Sequence, residues 1–425
     1  MYPFFVLSTI VAVLLCGLTI DIGIMERTHD GMQSAADAAA LGAQVSHDQE
    51  DTSWLTNGSS DAATNNFTNG VNGVTVTVNE NPASGSYAGE YDAIQATITQ
   101  SVHSNFMGWL NSGVETVTAT AVSLMTPCVY VTGAHSSTSP TYPLSLTSTS
   151  SLGYTSGSTM GCPVYVNRGL NVDSSSKLWA NATNVVGASS ASSLSGTAYH
   201  QPRYNATAQS DPLVYTAACS TLSSSCVNGT AYGITPPSFS SCTSPYTNHT
   251  WASGGTYVLN PGTYCNSFSF TNSTVTLNSG LYIITGGGTW SGSHVSGTGV
   301  TLYFTKGGGS NFGQFKVTNT PMTLSAPTTA SGGSIPTILI MNDPAWTQTA
   351  VQDFQFTSSS TNSGDGIIYL VGTGIELSSS AFTATHYLCF DVDNMLLVGT
   401  ALKPLSNFTT VPTGEPFTPM GGLVQ

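Results

Sequence analysis

From Cys128 to Gln425, almost 300 residues, the chain never spaces its apolar residues as an amphipathic helix does. What recurs instead is a glycine turn followed by a short apolar strand. The clearest copies are Pro261-Gly262-Thr263-Tyr264, Ser279-Gly280-Leu281-Tyr282-Ile283-Ile284 and Thr298-Gly299-Val300-Thr301-Leu302-Tyr303-Phe304. Their starts lie about 18–20 residues apart, near the lower end of known repeat periods. Ile338-Leu339-Ile340 and Gly366-Ile367-Ile368-Tyr369-Leu370 have the same form. A single strand and turn cannot bury its own apolar side chains, so units of this size are stable only when stacked. The spacing predicts a mainly-β body over residues 127–425, a right-handed parallel β-helix (solenoid) with Ser, Thr and Asn on its outer faces and corners. A two-sheet sandwich is the structural alternative. Gly286-Gly287-Gly288 and Gly307-Gly308-Gly309 read as turns between coils.

The composition agrees with many short strands and tight turns. Only 7% of residues are charged, against about 25% in an ordinary soluble domain. Glycine (44 residues), Ser and Thr fill the gap, while 40% hydrophobic content excludes disorder by low hydropathy. The formal charge of −14 leaves seven cations, Arg27, Arg168, Lys177, Arg203, Lys306, Lys316 and Lys403, which form no cluster. Without a basic stripe, neither nucleic acid nor an anionic membrane surface is expected as a partner.

Phe4 to Ile20 is predominantly apolar, and about 20 such residues would span a bilayer as a helix. No basic residue precedes Phe4, and the run leads into a helical continuation, Met25 to about Gln49, without a cleavage-like break. Residues 1–53 are therefore expected to form a retained assembly or anchor helix on a chain whose leader has been removed. Phe4, Phe5, Leu7, Ile10, Val13, Leu14, Leu18 and Ile22 supply its apolar surface, and Asp21 and Arg27 its charges. Ala35, Ala36, Ala39 and Leu41 belong to an alanine-rich stretch. Alanine is the best helix former; such a surface serves equally for packing on the chain's own domain or for close approach of a neighbouring helix. Between 54 and 126, Val74-Thr75-Val76-Thr77-Val78 and Ile94-Gln95-Ala96-Thr97-Ile98 alternate with period two, as does Val117 to Leu124. With a short helix expected over Val102 to Leu110, this reads as a small α+β domain.

Gly17-Leu18-Thr19-Ile20-Asp21-Ile22-Gly23, followed by Gln33-Ser34-Ala35-Ala36-Asp37-Ala38-Ala39-Ala40-Leu41, resembles the N-terminal signature of TadE/TadG-like (Flp/Tad pilus-assembly) proteins, which are pilin-like. The signature covers about a tenth of the chain. Family members usually carry basic residues before the helix, and this chain has none. Asn260-Pro261-Gly262-Thr263-Tyr264-Cys265 is similar to a segment of the Cys/Gly/Ser-rich C-terminal region of TadG-like proteins. The resemblance implies a role in, or derived from, surface appendages.

Of eight cysteines, Cys16 lies in the hydrophobic run. No other pair has metal-ligand spacing beside histidine, so disulfides and an oxidising compartment are the reading. Nearest neighbours along the chain give Cys128–Cys162, Cys219–Cys226 and Cys242–Cys265, leaving Cys389 a buried thiol. Asn-x-Ser/Thr sequons occur at Asn57, Asn66, Asn181, Asn205, Asn228, Asn248, Asn272 and Asn407, each a possible glycan site in an exported chain and each also expected by chance in so Asn- and Ser-rich a sequence. For catalysis the best acidic cluster is Asp391 with Asp393 on one strand face, approached by Asp353 and Asp365 from neighbouring repeats. A solvated strand edge explains it as well, and neither a catalytic residue nor a metal or other cofactor is expected. The histidines are scattered.

Three readings follow. The first is a structural subunit of an extracellular pilus-like filament, a homopolymer whose N-terminal helices pack in the core and whose β-bodies are displayed. Asp21 would then need a buried partner, either a neighbour's terminal amine or Arg27. The second is a membrane-anchored or pilus-tip adhesin that binds a host or surface glycan, with other pilus components as partners. A distant third is a secreted polysaccharide-active enzyme, in which Asp391→Asn would abolish cleavage.

Overall fold

The structure is a computed structural model. It describes residues 2–48, 51–85, 87–104, 113–125, 127–133, 142–153, 162–206, 213, 237, 251–265, 268–306, 312–328, 335–343, 346, 354–357, 361–379, 381–384 and 386–406. These form two compact units that divide between Met125 and Thr126.

The first unit opens with α1 (Tyr2–Asp48) and α2 (Trp54–Thr64), followed by the antiparallel strands β1 (Val74–Glu80), β2 (Ala93–His103) and β3 (Val114–Leu124). The alternation of Val74 to Val78 places Val74, Val76 and Val78 on one buried face, joined there by Ile94, Ala96, Ile98, Ala119 and Ala121. Met32, Ala35, Ala36, Ala39, Ala40 and Ala43 of α1 close this core. Their small side chains let helix and sheet approach closely. The Gln33 amide nitrogen donates to the Thr120 carbonyl at 3.2 Å, which pins α1 to β3. Gly58 of α2 lies so close to α1 that a Cβ would sit 2.8 Å from both the Ala39 carbonyl oxygen and the Ala43 Cβ. Val102, expected in a short helix, is instead part of β2, where it pairs with Glu115; residues 105–112 of that segment lie outside the described residues.

The second unit is a large, almost entirely parallel sheet system of short strands. In a regular stretch each strand pairs with the third strand after it, which sorts the strands into three ladders. The first ladder contains Gly262–Cys265, Gly280–Thr285, Val300–Thr305 and Ile338–Asn342, then parts of Thr361–Ser378 and Tyr387–Val398. The second contains Phe270–Thr271, Gly288–Ser291, Phe315–Thr318 and Phe354–Thr357. The third contains Thr256–Leu259, Thr274–Leu277, His294–Thr298, Met322–Ser325, Ala381–Thr383 and Ala401–Lys403. Gly262 pairs with Tyr282 and Gly280 with Val300, a register of 20 residues. Later registers lengthen where loops intervene, as between Leu302 and Ile340. Among the described residues no closed sheet is found.

Rung order departs from chain order. The C-terminal strand Tyr387–Val398 pairs in parallel with Val129–Val131 and Leu144–Thr147, and Ala401–Lys403 pairs with Ser151–Gly153. From there the ladders continue through Val164–Val166, Thr183–Val185 and Arg203–Tyr204. The stack thus runs from residue 262 to 392 and then from 129 to 204, so the earliest strands of the unit extend the latest. Tyr282, Leu302, Ile340, Ile368, Phe390, Val129 and Val164 form one buried column across that junction. Each such side chain contributes about 1.5–3 kcal/mol of apolar burial.

The corner between the second and third ladders shows why Asn, Gly and Ser are so frequent. Asn272, Gly292, Asn319, Gly399 and Ser148 take positive φ there, on different rungs. Asn and Gly tolerate that left-handed backbone best. A buried hydroxyl follows: Ser273, Ser293, Thr320, Thr400 and Ser150. The Ser273 amide donates to the Ser293 hydroxyl (3.1 Å), and the Ser293 amide to the Thr320 hydroxyl (3.2 Å). Each hydroxyl in turn donates to a carbonyl two or three residues back, as Thr320 does to Thr318 at 3.0 Å. The column satisfies buried backbone amides where the chain turns and no ladder partner exists.

Candidate functional site

Between Val13 and Ile24, α1 carries a run of aliphatic side chains that lies outside the first unit's core. Val13, Leu14, Leu15, Leu18, Ile20, Ile22 and Ile24 are exposed, with Val13, Leu15 and Ile20 more than half accessible. At 3.6 residues per turn these positions are distributed around the helix, rather than along one stripe. Polar residues in the run do little to wet it. The Thr19 hydroxyl donates to the Cys16 carbonyl at 2.8 Å, and Thr28 to Ile24 at 2.9 Å, so each hydroxyl is satisfied by its own helix. The side chains of Phe4, Phe5, Leu7 and Ile10 lie outside the described residues.

Three features of this helix bear on the assembly reading. Asp21 is only 2% exposed within the single chain, so its burial does not await a neighbour, and Arg27 is exposed. Ala35, Ala36 and Ala39 are fully buried in the first unit's own core, and Leu41 is partly buried. Packing on the chain's own sheet therefore occupies the alanine surface, and the exposed aliphatic residues before it lie outside that core. Among the described residues no helix is long and apolar enough to cross a membrane. After Ile24 the helix becomes polar, through Glu26, Arg27, Thr28, His29 and Asp30.

In the second unit Cys128 and Cys162 are disulfide-bonded, with Cα atoms 5.6 Å apart. They precede the paired strands Val129–Val131 and Val164–Val166, so the bond staples adjacent rungs. Cys265 is also disulfide-bonded, and Cys219, Cys226 and Cys242 lie outside the described residues. Cys389 is a buried thiol, and Cys16 an exposed one.

Asp391 and Asp393 are buried. Asp393 accepts the Thr132 hydroxyl at 3.0 Å and the Asn394 amide at 2.7 Å, which ties the C-terminal strand to the strand it adjoins. Asp365 instead accepts from the backbone amide and ring Nδ1 side of His386, both at 2.8 Å. Asp353 lies outside the described residues. Among the described residues no group of three or more His, Cys, Asp or Glu could hold a metal ion.

Among the sequon residues, Asn66, Asn205 and Asn272 are exposed and take positive φ, a backbone reason for asparagine. Asn57 is partly buried, and its amide donates to Ser46 and Asp51; Asn181 is partly buried. Asn228, Asn248 and Asn407 lie outside the described residues. One surface feature escaped the sequence reading: Trp179 and Tyr199 approach on adjacent rungs with ring centroids 6.5 Å apart. Their separation of 20 residues equals the rung register, the signal that could have paired them.

Residues 2–45, most of α1, match the family described as putative Flp pilus-assembly TadE/G-like. No curated protein and no solved structure matches the chain.

Proposed function

We propose that the chain is a structural subunit of an extracellular pilus-like filament, with no catalytic role and no cofactor. The N-terminal helices pack together as the core, and the β-bodies are displayed. The supporting observation is the uncovered aliphatic stretch from Val13 to Ile24. Exposed aliphatic side chains on several sides of a helix call for cover, and burial contributes about 25 cal/mol per Å². The family match over residues 2–45 supports other pilus components as partners and a pilus-associated location at the cell surface.

The displayed body, in this reading, is a right-handed parallel β-helix of three strands per coil. Pairing of each strand with the third one after it supports the winding, and connections between parallel strands are right-handed almost without exception. Glycans on exposed Asn66, Asn205 and Asn272 are part of the proposal, and an intact mass equal to the polypeptide mass removes them.

The test is electron microscopy of material sheared from cells, with mass spectrometry of its bands. Uniform filaments in which this chain dominates support the subunit. Recovery only from detergent-solubilised membranes overturns it in favour of an anchored adhesin.

A further inference from the structure

We propose that the outward side of the third ladder is a binding platform for an extended, neutral β-1,4-linked polysaccharide, with Trp179 and Tyr199 as its aromatic anchor. The site goes beyond the filament reading and does not depend on how the helices assemble.

The platform follows from register. Thr276, Ser296, Thr323, Ser363 and Thr383 occupy one outward position on five consecutive rungs. Their inward neighbours, such as Val275, Val295 and Phe382, are buried, which fixes the hydroxyls on the outer side. Successive rungs lie about 4.8 Å apart, comparable to the advance per sugar in an extended β-1,4 chain. A polymer lying along the column therefore meets a hydroxyl at nearly every sugar. Hydroxyls both donate and accept, so they match the ring hydroxyls of a saccharide whichever way these point.

The same column continues through Lys403 and Gly153 to Trp179. A Cβ on Gly153 would lie 2.6 Å from the Trp179 carbonyl oxygen and 3.0 Å from its Cβ. The rung before the indole therefore carries no side chain that could lie across the ring, and its backbone packs closely against Trp179. Tyr199 follows on the next rung, half exposed, its ring tilted 58° to the indole. The Lys177 ammonium sits 5.9 Å over the Trp179 ring, within cation–π range. Aromatic faces carry a negative quadrupole, and the C–H face of a pyranose is apolar with slightly positive hydrogens, so the two stack.

Charge decides the polymer class. The protein carries −14 overall, and an anionic polysaccharide would need more than Lys177 and Lys403, the two lysines on this side among the described residues. A neutral polymer meets no such penalty.

The experiment is co-sedimentation of the purified chain with microcrystalline cellulose and with chitin, in parallel with Tyr199→Ala, Trp179→Ala and Thr323→Val. Tyr199 contributes to no buried cluster, so its variant remains folded even if loss of Trp179 perturbs the rung. The expected result is retention of the native chain on at least one polymer, weakened about tenfold in Tyr199→Ala, the equivalent of about 1.4 kcal/mol, and less in Thr323→Val. Failure of the native chain to sediment with either polymer overturns the proposal. So does retention that Tyr199→Ala leaves unchanged, which would put the sugar elsewhere on the molecule.

Discussion

Glu376 stands on the outward side of the second ladder, two rungs from Lys316, with Gln355 between them. Burial raises its pKa more than Lys316 lowers it, and its Oε2 is buried without a hydrogen-bond partner. A carboxyl with a raised folded pKa favours the folded state while protonated. That contribution is present below the unfolded value of about 4.3 and is lost as pH rises through the higher folded value. Glu376→Gln should therefore melt at a higher temperature than the native chain at pH 7 and at the same temperature near pH 3. Asp173 behaves in the opposite sense. The Ser176 hydroxyl, with the Ser148 amide and both donors of Ser175, lowers its pKa to about 2. Its contribution is complete above the unfolded value of about 3.9 and disappears as pH falls toward 2. Asp173→Asn should flatten the native loss of thermal stability between about pH 4 and pH 2, as read by melting curves across that range.

At the scale of elements, the hydroxyl column in the corner between the second and third ladders gives a sharper test than any strand. Ser293→Ala removes the acceptor of the buried Ser273 amide. Leaving such a group unsatisfied costs about 1–3 kcal/mol, to be measured by denaturant unfolding. Ser296→Ala, which touches no such amide among the described residues, serves as the control and should change little. The Cys128–Cys162 bond closes a separation of 34 residues between neighbouring rungs. A Cys128→Ser/Cys162→Ser double variant should lose about 3 kcal/mol by the same measurement, without loss of parallel-sheet signal in circular dichroism. Much of this was legible in the sequence: the Gly-turn and strand period, the alternating strands of the first unit and the buried thiol of Cys389. The corner motif was not, because an Asn-Ser or Gly-Ser pair looks like any loop until its neighbours one register away are known. For the same reason the sequon at Asn272 read as a modification signal, while its backbone role required a φ value.

At the scale of the molecule, the junction of Tyr387–Val398 with Val129–Val131 makes the second unit a stack whose chain order is permuted. With rungs about 4.8 Å apart, its first-ladder ends at Gly262–Cys265 and Arg203–Tyr204 are roughly 40 Å apart. A permuted chain that begins at residue 251, runs to 406 and passes through a flexible linker into 127–206 should fold and unfold in one cooperative transition. Two separate transitions by calorimetry would mean that the junction does not couple the halves.

What the sequence determined by itself was local: a helix from its apolar and alanine-rich run, strands from period-two alternation, and rungs from the return of Gly turns every 18–20 residues. These properties depend on residues within one turn, one strand or one repeat of each other. The tertiary structure alone decided three things. It spent Ala35, Ala36 and Ala39 on the chain's own sheet and left the aliphatic residues between Val13 and Ile24 exposed, with Asp21 buried among them. It buried Asp391 and Asp393, tied Asp393 to Thr132 and set Asp365 against His386. It also joined residue 390 to residue 129. Each depends on which surfaces meet across hundreds of residues, and an apolar strand carries no mark of its partner: any buried, in-register edge satisfies its backbone equally well.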